Sequence, residues 1–370
     1  MKKTCKRCVM DDSMNGFELD NNGICNFCKQ YEYRVTNELP KNKPEALACL
    51  VEKIKKDGKN KEFDCIIGVS GGVDSSYIAH LVKNLGLRPL AIHFDNGWNS
   101  ELAVSNIEKL LKKLNIELYT HVVDWNEFKD LQKSFIKSSI NNLEIPTDHG
   151  ITAILFKMAN KFQVKYIING SNLATEGILP VKHIGRHIDS KLLKSIHKKF
   201  GTVKLKTFPK MGLFKFFYYI FIKRIKYIPL LNYIDFVKED AIVELETKYG
   251  WKRYGGKHYE SIFTRFYQGY MLPVKYNYDK RKAHLSTLIM SGQISKDEAV
   301  EELKKNPYGD VELIEDDKEF VIKKFGFSTA EFENILKEKV KKAEDYPSYE
   351  YLFAKYGSLI TKVKKIVLKG

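Results

Sequence analysis

The 370-residue sequence predicts an α/β protein with a parallel, doubly wound sheet, a small cysteine-rich module before it and a helical region after it. Three observations predict this architecture. Four cysteines come in two pairs near the start, short apolar runs alternate with amphipathic segments up to residue 169, and Ser-x-x-Glu capping boxes open helices in the last third. We therefore divide the chain into residues 1–40, 41–180, 181–235 and 236–370.

The predicted sheet has four strands, each followed by a polar loop or a helix. The strands are Cys65 to Val69, Leu90 to Asp95, Glu117 to Asp124 and Lys165 to Asn169. Apolar spacing predicts helices up to Gly86 and at Ser100 to Leu114, Asn126 to Ser139 and Asp148 to Phe162. Because parallel strands end at one edge of a sheet, we expect ligands to bind at the loops that follow these strands.

Composition and charge narrow the class of protein. The hydrophobic fraction is 44%, which excludes a mostly disordered or collagen-like chain. The net charge of +16 predicts an anionic partner: nucleic acid, lipid head groups or a phosphorylated substrate. The most apolar stretch, Leu213 to Leu231, is interrupted by charges, and the start carries no apolar signal segment. We therefore expect a cytoplasmic protein.

The paired cysteines predict a metal site. Their spacing is C-x2-C-x16-C-x2-C, formed by Cys5, Cys8, Cys25 and Cys28. In a reducing compartment this pattern is typical of a tetrahedral, structural Zn2+ site with no position left for water. A disulfide framework is one alternative, which the lack of an export signal disfavours. A redox pair is another, which the occurrence of two matched motifs disfavours. No cysteine follows Cys65, which excludes cysteine nucleophiles and persulfides from the main domain.

A phosphate-binding loop follows the first strand. The segment SGGVDSS joins an apolar strand to the start of a helix. Adjacent glycines let the backbone approach a ligand closely, and the N–H groups of the helix start favour an anion. The segment lacks the Gly-Lys-Ser/Thr of a Walker A loop and the G-x-G-x-x-G of a dinucleotide-binding turn. A chance turn rich in serine and glycine is the alternative interpretation.

SGGVDSS resembles the PP-loop of the ATP pyrophosphatases, whose fold is the adenine nucleotide alpha hydrolase-like sheet. The resemblance implies that ATP is cleaved between its α and β phosphates and that AMP is transferred to a substrate oxygen. It also implies an ATP-binding set, with the adenosine across the first two strand ends and the fourth-strand loop facing the reacting phosphate. That set is Ser70, Gly71, Gly72, Val73, Asp74, Ser75, Ser76, His93, Asp95, Asn169 and Gly170.

The fourth-strand loop, NGSNLATEG, differs from the family pattern. Relatives often carry acidic residues early in this loop, where this chain has Asn169 and Asn172. We therefore assign the Mg2+ ligands to Asp74 and Glu176, for which helix capping is the alternative role. Asn172 is kept as a residue that contacts the substrate.

Several motifs in order resemble the N-acetyl sugar amidotransferase family of bacterial surface-polysaccharide synthesis. They are the paired cysteines, SGGVDSSYIAH, IPTDHG, NGSNLATEG and HYESIFTRFYQGYMLPVKYNYDKRKAHLSTLI, and the match extends from Cys5 to about Leu288. The resemblance implies conversion of the acetamido group of a free or nucleotide-linked sugar into an acetamidino group. It also implies two partners, a glutaminase that supplies ammonia and a cyclase-like subunit.

Further site residues are expected in later segments. Lys275 and Arg281 are assigned to the phosphates, although a solvated basic face is the alternative. Four other residues are assigned to the substrate, namely Asp148, His149, Lys257 and His258. Asp148 can equally serve only as an N-cap.

A basic, aromatic segment remains outside this chemistry. Residues 182–226 contain thirteen Lys or Arg and a single acidic residue, Asp189. The pattern is compatible with docking on a partner or a solvated face, with contact at a membrane surface, with an anionic substrate and with nucleic acid, which we consider unlikely.

Two rivals to the amidotransferase stay open. The first is a tRNA-modifying ATP pyrophosphatase of the lysidine-synthetase type, which needs no cysteine and would suit the basic charge. The second is a non-enzymatic zinc scaffold, against which the intact SGGVDSS segment argues.

Overall fold

The computed structural model describes residues 3–180, 186–256, 259–308, 311–352 and 355. Within these residues, five strands form one sheet in the order β3-β2-β1-β4-β5, and every neighbouring pair is parallel. The strands are β1 (Cys65–Gly68), β2 (Pro89–Asp95), β3 (Glu117–Val122), β4 (Tyr166–Asn169) and β5 (Lys226–Pro229). The parallel α/β fold expected from the sequence is confirmed.

Helices connect and flank the strands. The helices are α1 (Asn26–Glu38), α2 (Lys43–Gly58), α3 (Val73–Asn84), α4 (Glu101–Leu114), α5 (Trp125–Ser138), α6 (Ile145–Lys161), α7 (Leu173–Glu176), α8 (Ser190–Phe200), α9 (Leu213–Phe217), α10 (Lys238–Tyr249), α11 (Ile262–Phe266), α12 (Leu272–Tyr276), α13 (Arg281–Met290), α14 (Lys296–Lys304), α15 (Val311–Phe325) and α16 (Thr329–Lys337). In the part of the chain that the structure describes, no helix is long and apolar enough to cross a membrane.

The sheet separates two hydrophobic cores. Ile66 of β1 packs in a core with the apolar sides of α5 and α6, whereas its neighbour Ile67 packs in a second core with α2, α3 and α4. Both side chains are fully buried. Successive residues of a strand face opposite sides of a sheet, so a strand covered on both sides must be apolar at every position. The short run CIIG of β1 meets this requirement.

The fifth strand was missed from the sequence. Lys226–Pro229 pairs with β4, with Tyr166 opposite Lys226 and Asn169 opposite Pro229. It lies within residues 181–235, at the end of the basic, aromatic segment. Its sequence KYIP is too short and too close to charges to indicate a strand. Part of that segment is therefore an edge of the main sheet.

One predicted helix start was wrong. The helix expected to begin at Asp148 begins at Ile145, and its N-cap residue is Glu144. Pro146 lies in the first turn, where its fixed φ and missing N–H are tolerated. Asp148 therefore lies inside the first turn of α6 and is not its N-cap.

Two carboxylates of α5 hold the basic segment against the core. The Glu127 carboxylate accepts backbone N–H bonds from Lys206, Thr207 and Phe208, at 2.8–3.0 Å. The Asp130 carboxylate accepts from the backbone of Thr202 and from the His197 ring, both at 2.9 Å. A loop rich in lysine is thus fixed by its backbone, and its side chains remain available to solvent.

Replacement of Glu127 with alanine should destabilise the protein by about 3 kcal/mol, because three backbone amides would lose their buried acceptor. Burial by itself would raise the pKa of Glu127, but these hydrogen bonds outweigh burial and lower the pKa. The stabilisation is therefore present above the unfolded-state pKa of a glutamate and is lost as pH falls through the folded-state value. Urea unfolding measured at neutral and acid pH checks this expectation.

The control for that experiment is Glu108→Ala, which removes an exposed carboxylate from helix α4. Equal stability losses for the two variants, or a loss for Glu127→Ala that does not shrink at acid pH, would contradict the assignment.

Candidate active site

The loop between β1 and α3 forms the first wall of the site. Gly71 has a φ of +85°, and a Cβ at this position would lie 2.9 Å from the carbonyl oxygen of Ala103. The hydroxyl groups of Ser70 and Ser75 lie 3.1 Å apart. Helix α3 begins after Gly72, and no side chain caps its start. The amides of its first turn are thus oriented for an anion, as the sequence predicts.

The loop is held from the side opposite to the strand. The Trp251 indole N–H and the Tyr254 hydroxyl both donate to the carbonyl oxygen of Gly71, at 3.1 and 2.9 Å. The Asn106 amide in turn donates to the Tyr254 hydroxyl at 3.2 Å. These bonds occupy the carbonyl side of the loop and fix its backbone, so the amides need no rearrangement when an anion binds.

The loop after β4 forms the second wall. A Cβ at Gly170 would lie 2.9 Å from the Cβ atom of Asp74, so only glycine allows this approach of the two loops. Asn172 caps α7 by accepting the Thr175 N–H at 2.8 Å, and its own amide donates to the Gly170 carbonyl. Asn172 is therefore used within the loop and does not extend toward a substrate.

Residues from the C-terminal part of the chain form the third wall. The Ser100 N–H donates to the Glu260 carbonyl and the Ile262 N–H donates to the Trp98 carbonyl, both at 2.9 Å. These bonds attach the start of α11 to the loop after β2. Beyond them, the wall consists of Glu260, Ser261, Thr264, Gln268, Lys280, Ala283 and His284.

The three walls enclose one continuous cleft. Its part beside the PP-loop has a volume of 700 Å³ and is lined by Asp74, Glu176 and Lys238, among others. Its deeper part, below the ends of β1 and β2, has a volume of 620 Å³ and is lined by His93, Asp148 and others. The two parts share lining residues from both loops. The carboxylates of Asp74 and Glu176 thus reach the same space, where they could hold Mg2+ together with phosphate oxygens.

Asp148 is the most perturbed acid in the cleft. Asp148 is exposed in the cleft, but the walls around it reduce its solvation and raise its pKa to about 7. The charges of Glu144 and Glu176 raise the pKa further, and the charge of Lys280 opposes them. Asp148 can therefore exist in either protonation state near neutral pH, which suits a group that exchanges protons with a substrate.

The four paired cysteines converge as predicted. Their sulfur atoms lie within 4.8 Å of one another and all four side chains are buried. The Sγ atoms of Cys8 and Cys25 are 3.7 Å apart, and those of Cys25 and Cys28 are 3.6 Å apart. Sulfur atoms bound tetrahedrally to Zn2+ at 2.3 Å would be separated by about 3.8 Å. A closed, metal-binding cluster therefore fits these residues, and no position remains for a reacting ligand.

Helix α13 joins this module to the site. Lys282 donates to Asp11 of the module at 2.6 Å. On the same helix, the His284 ring contacts the Thr175 carbonyl at 3.0 Å, and Ser291, which caps the end of the helix, donates to the Ala174 carbonyl at 2.8 Å. The cysteine module therefore supports α13, and α13 supports the loop after β4.

Two residues assigned to the phosphates lie elsewhere. The Lys275 ammonium donates to the Ser139 hydroxyl at 2.9 Å and to the Ile335 carbonyl, and burial lowers its pKa to about 8. The Arg281 guanidinium pairs with Asp279 at 2.8 Å and also donates to carbonyl groups at the end of α14. Neither side chain lines the part of the cleft beside the PP-loop.

His149 was assigned to the substrate, but the structure places it in the core. The His149 ring donates from Nδ1 to the His187 carbonyl at 2.6 Å and accepts the Met211 N–H at Nε2. Burial lowers its pKa to about 4 and keeps the ring neutral. His149 thus connects α6 to the basic segment.

Of the remaining predicted residues, one lines the cleft, one lies outside it and two are not described. His93 lines the deeper cleft and its Nδ1 contacts the Val69 carbonyl at 2.9 Å. The Asp95 carboxylate accepts the Gly97 N–H at 2.9 Å and is not among the cleft-lining groups of the described residues. Lys257 and His258 lie outside the residues that the structure describes.

Sequence reasoning missed Lys280 and Lys238 as cleft residues. Lys280 belongs to the run Lys280-Arg281-Lys282, whose members diverge at the start of α13 by roughly 100° each. Lys280 lines the cleft, Arg281 contacts α14, and Lys282 contacts the cysteine module. A helical projection of this run could have indicated that the three side chains point in different directions, but not which of them faces the cleft.

The fold and the loop agree with the fold class that the sequence predicts. A parallel sheet in the order β3-β2-β1-β4-β5, with SGGVDSS between β1 and α3, is the arrangement expected of a PP-loop fold. Residues 260–361 match the model for "LPS biosynthesis protein WbpG-like, C-terminal domain". The family resemblance expected from the motifs is thereby confirmed for the C-terminal part of the chain, which is similar to a WbpG-like domain.

Several solved structures are similar to the chain, whereas no curated protein matches it. The NH3-dependent NAD synthetase from Campylobacter jejuni is 17% identical over 70% of this chain and 95% of that chain, with a TM-score of 0.31. The NMN synthetase from Francisella tularensis is 16% identical over 60% of this chain and 100% of that chain, with a TM-score of 0.29. The U34-tRNA thiolase NcsA from Methanococcus maripaludis is 16% identical over 79% of this chain and 87% of that chain, with a TM-score of 0.33.

Replacement of Cys25 with serine should abolish stoichiometric zinc binding, because a hydroxyl is a poor substitute for a thiolate in a closed four-sulfur site. Elemental analysis of the purified protein measures the metal, and a thermal melt measures the accompanying loss of stability. Cys49→Ser is the matched control, since Cys49 is exposed and lies outside the cluster. Equal metal contents for the two variants would contradict the assignment.

Proposed function

We propose that the chain is an ATP-dependent amidotransferase that converts the N-acetyl group of a sugar, free or nucleotide-linked, into an acetamidino group, in the synthesis of LPS O-antigen or another surface polysaccharide. One observation carries this proposal. The wall of the cleft that faces the PP-loop is built by residues between Glu260 and His284, which belong to the segment 260–361 that matches an LPS biosynthesis domain. The loop that we expect to bind ATP and part of a segment similar to an LPS biosynthesis domain thus line the same cleft, which supports the proposal.

The proposed reaction activates a poor electrophile. The amide oxygen of the acetamido group attacks the α phosphorus of ATP, the bond to the bridging oxygen breaks, and pyrophosphate leaves. Ammonia then attacks the imidate carbon, a proton is lost, and AMP departs with the former amide oxygen. The products are the acetamidine, AMP and pyrophosphate.

The PP-loop would act electrostatically on the departing pyrophosphate. The first-turn amides of α3 and the hydroxyls of Ser70 and Ser75 lie where negative charge grows as the α–β bridge breaks. Asp74 and Glu176 would hold Mg2+, which neutralises phosphate charge when bound. Lys280 is the basic group beside Asp148 that would face the adenylate.

Asp148 would receive the proton that the attacking nitrogen loses. Its raised pKa makes it a better proton acceptor than an ordinary aspartate, and its ionised form is available above about pH 7. This role differs from the capping role considered for the same residue, because the helix begins three residues earlier.

The nitrogen would come from a partner glutaminase, with a cyclase-like subunit as the second partner. The chain contains no G-x-C-x-G elbow and no cysteine beyond Cys65 with which to hydrolyse glutamine. The purified chain should therefore use ammonium salts and should not use glutamine unless the glutaminase is added.

The test is a product assay with ATP, Mg2+, ammonium chloride and UDP-linked N-acetyl sugars. Mass spectrometry should detect AMP together with a sugar in which an oxygen atom has been replaced by an NH group. AMP release that depends on added tRNA, with unchanged sugars, would instead support the lysidine-synthetase type of activity and contradict the proposal.

Lysine-to-glutamine variants test which lysine acts on the phosphates: Lys275, which the sequence suggested, or Lys280, which lines the cleft. Lys280→Gln should lower the rate of AMP formation by about a hundredfold, because it removes a cation from the low-dielectric cleft. Lys275→Gln should leave the rate within a factor of about two, since Lys275 contacts α5 and α16 outside the cleft. A large loss of rate for Lys275→Gln with little change for Lys280→Gln would instead assign Lys275 to the phosphates and contradict the role of Lys280.

A further inference from the structure

A short helical segment presents an exposed apolar stripe. Helix α9 continues without a break into one π-helical turn, Tyr218–Ile222, so that ten residues are helical. Phe214, Tyr218 and Ile222 lie on the outer side, with 93%, 43% and 69% of their surfaces exposed. The spacing of four residues places them in one line, about 12 Å long. Burial against the rest of the described chain does not explain these three side chains.

The inner side of the same segment is firmly packed. The rings of Phe216 and Tyr219 contact Phe156 of α6, with centroids 5.7 and 5.8 Å apart. Ile220 is buried in the core of the main domain. The outer stripe is therefore held in position by the fold and is not the result of a loosely attached segment.

Exposed basic side chains precede, interrupt and follow the stripe along the chain. Lys210, Lys215, Lys223 and Arg224 are all exposed, and among the described residues none of these four forms an ion pair. The acidic residue of the segment, Asp189, is buried and caps α8. The basic, aromatic segment therefore has no exposed acidic residue that could neutralise the positive charges near the stripe.

We propose that this face, defined by Phe214, Tyr218 and Ile222 with these four basic side chains, docks on the surface of an anionic lipid bilayer. Apolar side chains in a line can enter the boundary between head groups and acyl chains, while lysines and arginines remain at the level of the head groups. Each basic residue near an anionic bilayer strengthens binding by roughly fivefold. The helix would lie in the plane of the surface and would not cross it.

The side chains favour lipid over nucleic acid. Stacking of bases needs aromatic ring faces, and Ile222, at the end of the stripe, has none. A nearly fully exposed Phe214 beside an exposed isoleucine is better matched by a deformable apolar phase.

The position of the face relates it to the cleft. Strand β5 begins four residues after Ile222, and Tyr227 of that strand lines the deeper cleft. Docking would hold this part of the cleft wall close to the bilayer. The proposal does not depend on which reaction the cleft performs.

The test is co-sedimentation of the full chain with vesicles of phosphatidylcholine alone and of phosphatidylcholine mixed with phosphatidylglycerol. We expect binding to the anionic vesicles, weak binding to the neutral ones, and a strong decrease at about 0.5 M salt. The triple variant Phe214→Ser, Tyr218→Ser, Ile222→Ser should bind anionic vesicles at least about tenfold more weakly.

The matched control replaces three exposed valines elsewhere, Val104→Ser, Val122→Ser and Val243→Ser, whose exposed fractions are 50%, 67% and 48%. This control should bind like the wild type, and circular dichroism should show both variants folded. Absence of wild-type binding to anionic vesicles, or equal binding by the stripe variant, would overturn the proposal. Two further results would overturn the proposal if the wild type does not bind vesicles. One is a wild-type dimer that the stripe variant does not form, and the other is a wild-type complex with single-stranded RNA that the stripe variant does not form.

Discussion

The approach of the PP-loop to the loop after β4 is the constraint on which the site depends. Strands β1 and β4 are neighbours in the sheet although about a hundred residues separate them, and the order β3-β2-β1-β4-β5 makes their ends the point where the connections diverge. Gly170 lets the two loops meet at Asp74. The bonds from Trp251 and Tyr254 then fix the PP-loop from outside the sheet, so the anion site is rigid before any ligand arrives.

The start of α13 is a junction between three parts of the molecule. Its first residues point in three directions, toward the cleft, toward α14 and toward the cysteine module. The same helix supports the loop after β4 through His284 and Ser291. The cysteine module, which offers no open position for a reacting ligand, can in this way contribute to the geometry of the loop after β4. The module would stabilise the position of this loop without contacting a reacting group.

The sequence predicted those features that local patterns determine. Strands β1 to β4, the PP-loop and the four-cysteine cluster are encoded in short segments whose periodicity or spacing is sufficient. The failures concern features set by tertiary contacts. Strand β5 is strand-like only beside β4, and His149 is a core residue only because the basic segment covers it. Lys275 and Arg281 could not be separated from Lys280, because a run of basic residues carries no information on which member faces a cleft.

The contact between the cysteine module and α13 joins segments that lie far apart in the sequence. The Val9 amide donates to Ser286, 277 residues further on, and Lys296 donates to the carbonyl groups of Cys5 and Lys6. During synthesis the module emerges well before its partner helix. Closing so long a loop is slow and entropically costly. The cleft can therefore be completed only after α13 has been synthesised, so a product truncated before this helix would contain the SGGVDSS loop but no finished cleft.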